Sequence, residues 1–328
     1  MGDRVVLAIK RTGALLTAAL VLGLPSWEAA ACDSPTCSLL TRGANGLIPK
    51  GKLRLDVSFG HSSQPRLLDG SQTVDAVYRP RVFLEHGTII PGFHRDLSGW
   101  DQGVQADVTY GLSSRLNVTG SIPLASWHAH DVVHGTLEQE YGTRGIGDTL
   151  VGVRWAPGLD TLAVGLSLKL PTGPSRIGGE FGGGIQDPTL QPGTGAFDVV
   201  GSLLYAWRTR ALDLRWSAAA TYQRTTPNAL DYRFGDQAIS TLTVARPVSM
   251  RVSASLQVKL FHQDRNRYLD QDVPSTGSTV LYLTPGLRVS GPGNVSLFAY
   301  LPLATYCHVN DPQLGPRLGI TTGLSKQF

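Results

Sequence analysis

Along most of this chain, hydrophobic and polar residues alternate one by one. From 250 to 260 the even positions are Met, Val, Ala, Leu, Val and Leu, and the odd ones are Arg251, Ser253, Ser255, Gln257 and Lys259. Successive side chains of a strand point to opposite faces, so this run predicts a strand with one apolar and one polar face. The division recurs at 162–170, 115–122 and 212–222. In the last stretch Leu318, Ile320, Thr322, Leu324 and Phe328 face away from Arg317, Gly319, Thr321, Ser325 and Gln327. Lys326 is the one charge on that apolar side, close enough to the end to reach a membrane interface. From Lys52 onward there is no apolar run of transmembrane-helix length and no sustained 3.6-residue period.

The alternation resolves into twelve strands, centred near residues 56, 106, 118, 152, 166, 202, 217, 242, 255, 284, 299 and 322. A soluble sandwich shows the same alternation, so connection lengths must separate the two. Short turns at 111–114, 157–160, 208–210, 246–249 and 290–294 alternate with long stretches near 60–101, 126–146, 172–196, 223–236, 263–277 and 307–315. Such asymmetry, with segments of about ten residues, belongs to an up-and-down transmembrane barrel, in which a closed sheet satisfies every backbone group within lipid. The expectation is an all-β, antiparallel transmembrane β-barrel over 51–328 with about 12 strands, 10 to 14 being compatible with the pattern. Both chain ends would lie in the periplasm.

The first residues differ from the rest. Arg4, Lys10 and Arg11 precede an uncharged run from Ala14 to Leu24, and Ala29-Ala30-Ala31 supplies small residues for signal-peptidase cleavage. Eleven uncharged residues are too few for a helical span, which needs roughly 20. Residues 1–31 are therefore expected to be a cleaved export signal and 32–50 a periplasmic segment. Cys32 would be the first mature residue, but Ala29 stands where a lipidation motif usually has Leu. Export puts the cysteines in an oxidising compartment, where Cys32 and Cys37 either form a disulfide or remain free thiols. Composition agrees with β structure: 38 Gly and 20 Pro against only 2 Met, with mean hydropathy -0.03. The net charge of +4 says little about nucleic acid, and no nucleic-acid partner or cofactor is expected.

If the apolar phase faces lipid, the lumen receives Arg54, Arg115, Arg154, Lys169, Arg215, Arg251, Lys259, Arg288 and Arg317 against Asp56, Asp107, Asp148 and Asp213. A positive lumen would favour anions. Alternatively, these charges pair and fill a narrow interior. The run WHAHDVVHG brings His128, His130 and His134 close in sequence, either as a metal site or as part of a polar surface loop. No G-x-S-x-G nucleophile motif occurs, so an enzyme is not expected. Tyr110, Trp155 and Trp207 on the turn side, and Trp100 and Trp127 on the loop side, fit interfacial aromatic girdles.

GDTLVGVRW at 147–155, LSLKLPTG at 166–173, QPGTGAFDVVGSLLYAW at 191–207 and the C-terminal runs YLTPGLRVSGPGNVSLFAYLPL and LGPRLGITTGLSKQF resemble the outer-membrane family named for the meta pathway of phenol degradation. The resemblance covers roughly 50–328 and brings no catalytic residues. It implies an outer-membrane channel or uptake porin for small aromatic or hydrophobic molecules, to which the positive lumen adds anionic ones. The rivals are a structural or adhesive barrel with a closed interior and partner-binding loops, and a metal-related outer-membrane protein. Expected partners are outer-membrane lipid, a small solute and the barrel-assembly machinery, engaged through the strand ending at Phe328.

Overall fold

The computed structural model describes residues 47–84, 86–158, 161–179 and 184–328. The expected export signal at 1–31, Cys32 and Cys37 lie outside them. Twelve antiparallel strands form the wall: β1 (Leu53–Gln64), β2 (Thr88–Gly111), β3 (Leu116–His134), β4 (Thr149–Trp155), β5 (Leu162–Leu170), β6 (Asp198–Thr209), β7 (Leu214–Arg224), β8 (Gln237–Pro247), β9 (Val252–Gln263), β10 (Ser278–Ser290), β11 (Val295–Tyr300, continued by Leu303–Val309) and β12 (Leu318–Gln327). Each pairs with its sequence neighbours, and β1 pairs with β12 (Asp56 opposite Ser325), closing the barrel. Phe328 N–H donates to the Leu53 carbonyl at 2.8 Å and completes the seam.

The twelve strand centres read from the alternation all fall inside these strands. The outward phase is apolar and exposed: Val164, Leu166 and Leu168 on β5, and Leu256, Val258 and Leu260 on β9. Facing lipid, such residues suit a transmembrane wall. Trp207 and Trp216 stack with centroids 5.9 Å apart on one outward strand pair, in keeping with an aromatic girdle.

The long connections differ from the expected loops. β2, at 24 residues, and β3, at 19, exceed the roughly 9–11 residues that cross a bilayer, and Val77–Phe83 and Leu137–Gly145 pair against their outer ends. Other long connections pack on one another: Val82, Leu84, Tyr232, Tyr268 and Val273 form a buried cluster. Its polar tips are satisfied, since Asn266 donates to the Tyr232 hydroxyl oxygen at 2.8 Å and the Tyr268 hydroxyl donates to the Leu84 carbonyl at 3.2 Å. The end of the barrel with the long connections is thus a small folded cap with its own apolar core.

Two prolines shape one wall segment. Pro285 lies mid-strand in β10, and Leu301–Pro302 interrupts the facing β11; proline removes a ladder donor at each place.

Candidate functional site

β-Bulges decide what the lumen contains. In β3 the odd residues Asn117 and Ser121 point inward up to Pro123. Gln105 then pairs with Pro123 while Val104 pairs with Ala125, leaving Leu124 as the extra residue. One inserted residue reverses the phase, so Ser126, His128 and His130 become the inward set. A second bulge at Leu97 of β2 does the same between Asp96 and Asp101.

The WHAHDVVHG segment is therefore a strand, not a surface loop, and its histidines separate. His128 Nδ1 lies 2.8 Å from Asp101 Oδ1, and His130 Nδ1 lies 3.1 Å from Arg79 Nη1. Arg79 also meets Asp96 at 3.5 Å, and His94 Nε2 is 3.1 Å from the same carboxylate. His134 is exposed at the strand end, its ring 4.7 Å from Phe93. Among the described residues no three His, Cys, Asp or Glu side chains gather as metal ligands.

Arg79, Asp101, His128 and His130 border a cavity of about 280 Å³ in the upper half of the barrel, on the side of the long connections. Part of its wall is the connection between β5 and β6, which folds into the mouth and contributes Pro188, Thr189, Gln191, Pro192 and Thr194. The fold-in has a polar latch. Asp148 accepts the Gly173 N–H at 3.0 Å and both the N–H and hydroxyl of Thr194 at 2.8 Å. Lys169 Nζ bridges Asp148 (3.5 Å) and Asp198 and donates to the Thr194 hydroxyl. Within the connection, Asp187 caps the 3-10 turn Pro188–Leu190, and the Gln191 amide ties down Ile177 and Gln186. The Gly and Pro residues of QPGTG therefore serve an inward fold, with Gly193 against Gly173 so closely that a Cβ would lie 2.4 Å from the Gly173 carbonyl oxygen.

A second cavity of about 310 Å³ occupies the lower half, on the side of the tight turns, lined by Arg54, Arg215, Arg246 and Arg288 with Tyr300 and several serines. A partition separates the two. Along β9, Gln257 lines the lower cavity, Lys259 neither, and Phe261 the upper; on β8 the corresponding series is Thr243, then Thr241 and Ile239, then Gln237. Lys259 is 2% exposed, with Nζ 4.4 Å from the Tyr282 ring centre. Asp56, opposite Asp107 across β1 and β2, is also buried in the inward phase.

Of the charges assigned inward from the sequence, Arg54, Asp56, Asp107, Asp148, Arg154, Lys169, Lys259 and Arg288 are buried or half-buried, while Arg215 is exposed within the lower cavity. Arg115, Arg251 and Arg317 are exposed at strand ends. Asp213 is corrected outright: it sits in a turn at φ 50° and pairs with Arg208, because a 3-10 turn at Arg210–Leu212 delays the start of β7. Arg79, Asp96, Asp101 and Asp198 were not singled out. Arg79, Asp96 and Asp101 sit in the stretch 60–101, read as a loop, and Asp198 is the first residue of β6.

The fold and the lumen can now be set beside known proteins. The profile of the family described as "Putative MetA-pathway of phenol degradation" matches residues 62–305. The chain belongs to this family. Its fold is that of an outer-membrane channel from Pseudomonas putida F1, 12% identical, with a TM-score of 0.59 over 86% of this chain and 97% of that one. The toluene transporter TbuX of Ralstonia pickettii aligns at 0.45 and 10% identity, over 89% and 93% of the two chains. No curated protein sequence matches.

Proposed function

We propose that this family member is a passive outer-membrane channel for small aromatic compounds. The observation that carries it is the lumen: two polar cavities, open towards opposite faces, inside a wall whose outer face is apolar. The family's description, a pathway of phenol degradation, and the outer-membrane channel of similar fold are consistent with it. The inward-folded connection narrows the upper mouth, and the partition at Lys259 sets the barrier to passage. Permeation then requires local side-chain and loop rearrangement, which suits small and slow-flowing solutes.

The rest of the reading follows from that role. Residues 1–31 act as a cleaved export signal, 32–50 remain periplasmic, and the seam strand ending at Phe328 is the segment presented to the barrel-assembly machinery. No step of passage calls for catalysis. The rival reading, a closed structural or adhesive barrel, is favoured by one observation, the buried partition. Planar-bilayer conductance and uptake of toluene and phenol into liposomes decide between them. Channel events with solute uptake support the proposal; a silent bilayer with impermeable liposomes overturns it.

A further inference from the structure

The two cavities differ in charge. The upper one carries both signs, with Asp101, Asp148 and Asp198 facing Arg79 and Lys169. The lower one is lined by four arginines and by no carboxylate. Arg54, Arg215 and Arg288 come from the inward phases of β1, β7 and β10, and Arg246 adds a fourth guanidinium from the end of β8. Two of the four are held in place by hydrogen bonds within the wall. Arg54 donates to the Gln327 side-chain oxygen at 3.3 Å, and Arg288 donates to the Ser296 hydroxyl at 3.0 Å. Beside Arg288 stand two rings: Phe298, 5.4 Å from the guanidinium carbon, and Tyr300, its ring centre 5.6 Å from that of Phe298.

From this arrangement we infer that the periplasmic vestibule is a binding site for a small aromatic carboxylate. Guanidinium groups present flat forks of donors that match a carboxylate and hold their charge at any physiological pH. Four of them on low-dielectric walls concentrate anions at this mouth. The Tyr300 ring offers the flat apolar face that a single-ring solute needs beside its charged end. A volume of about 310 Å³ is at the small end of ligand clefts and suits one ring. The inference rests on the channel reading for its biological sense: an aromatic acid would leave or enter through this end. The site itself is defined by the vestibule alone.

The test is calorimetric titration of the detergent-solubilised protein with benzoate, with benzamide and cyclohexanecarboxylate as probes that each keep one of its two features. Benzoate should bind more tightly than either. An Arg215→Ser, Arg246→Ser variant changes two exposed side chains and should weaken benzoate on the order of tenfold per arginine, since each charge-assisted hydrogen bond is a strong one. Arg54→Gln provides an independent variant should the double one fail to fold. Binding of benzamide as tight as that of benzoate, or variants that bind like the parent, would overturn the inference. So would phosphate competing as well as benzoate, because the vestibule would then be a general anion trap. Conductance of the same preparation separates the two readings: channel activity without benzoate binding removes this site only, and benzoate binding without channel activity removes only the channel.

Discussion

Lys169→Met should release the connection that folds into the upper mouth. Lys169 bridges Asp148 and Asp198, carboxylates whose side chains are 6% and 2% exposed, and it also holds Thr194. Removing one partner of a fully buried ion pair costs about 3–5 kcal/mol, mostly because a charge is left uncompensated. Here the lysine side chain is 11% exposed and borders a polar cavity, so about half of that, ~2 kcal/mol, is a fair expectation. Such a penalty shifts the folded-in population by roughly 30-fold. Two measurements read it. Trypsin cleavage after Arg176, an exposed residue in the connection, should accelerate by about that factor, and single-channel records should show a larger or longer open state. Adding Asp198→Asn removes one of the stranded charges and should restore part of the protection. Unchanged cleavage together with unchanged conductance would refute the latch.

Lys259→Ala should join the two cavities, because this side chain stands between Gln257 and Phe261; unitary conductance is expected to rise, and an unaltered conductance would place the barrier elsewhere. On the lipid face, Leu166→Arg puts a charge on a residue 59% exposed there and should cost about 2–4 kcal/mol in folding into vesicles, measured by urea titration. Gly111→Ala places a Cβ 2.1 Å from the Pro49 carbonyl oxygen, so overpacking should lower stability by about 1–3 kcal/mol and free 47–52 to protease. The cap formed by the long connections should loosen in acid. Burial opposes ionisation of Asp236, but hydrogen bonds from the Thr225 backbone and hydroxyl, Tyr222 and Arg233 outweigh it and hold the carboxyl far below the usual range. Arg265 does the same for Asp311. Groups with depressed values stabilise above the unfolded-state carboxylate pKa of about 4 and lose that contribution as pH falls below it. Loop proteolysis by pepsin should therefore rise between about pH 4 and 2, and Asp236→Asn should flatten the dependence.

The sequence by itself determined the wall. Period-two alternation is local information, because each residue's face follows from that of its neighbour, and lipid demands one uniformly apolar face. Strand number, the lipid-facing set from Val164 to Leu324, the tight turns and the seam at Phe328 were all legible for that reason. Only the tertiary structure decided what fills the barrel. Phase counting breaks at a bulge, so the pairing that ejects Leu124 determines that His128 and His130 face inward. The inward connection depends on bonds such as Thr194 to Asp148, 46 residues apart, which no local pattern encodes. Asp213 shows the same limit at a turn: the alternation continued through it, while the backbone ended the strand there. Which arginines share the lower vestibule was likewise settled by barrel closure, since β1, β7, β8 and β10 meet around one space only once β12 pairs with β1.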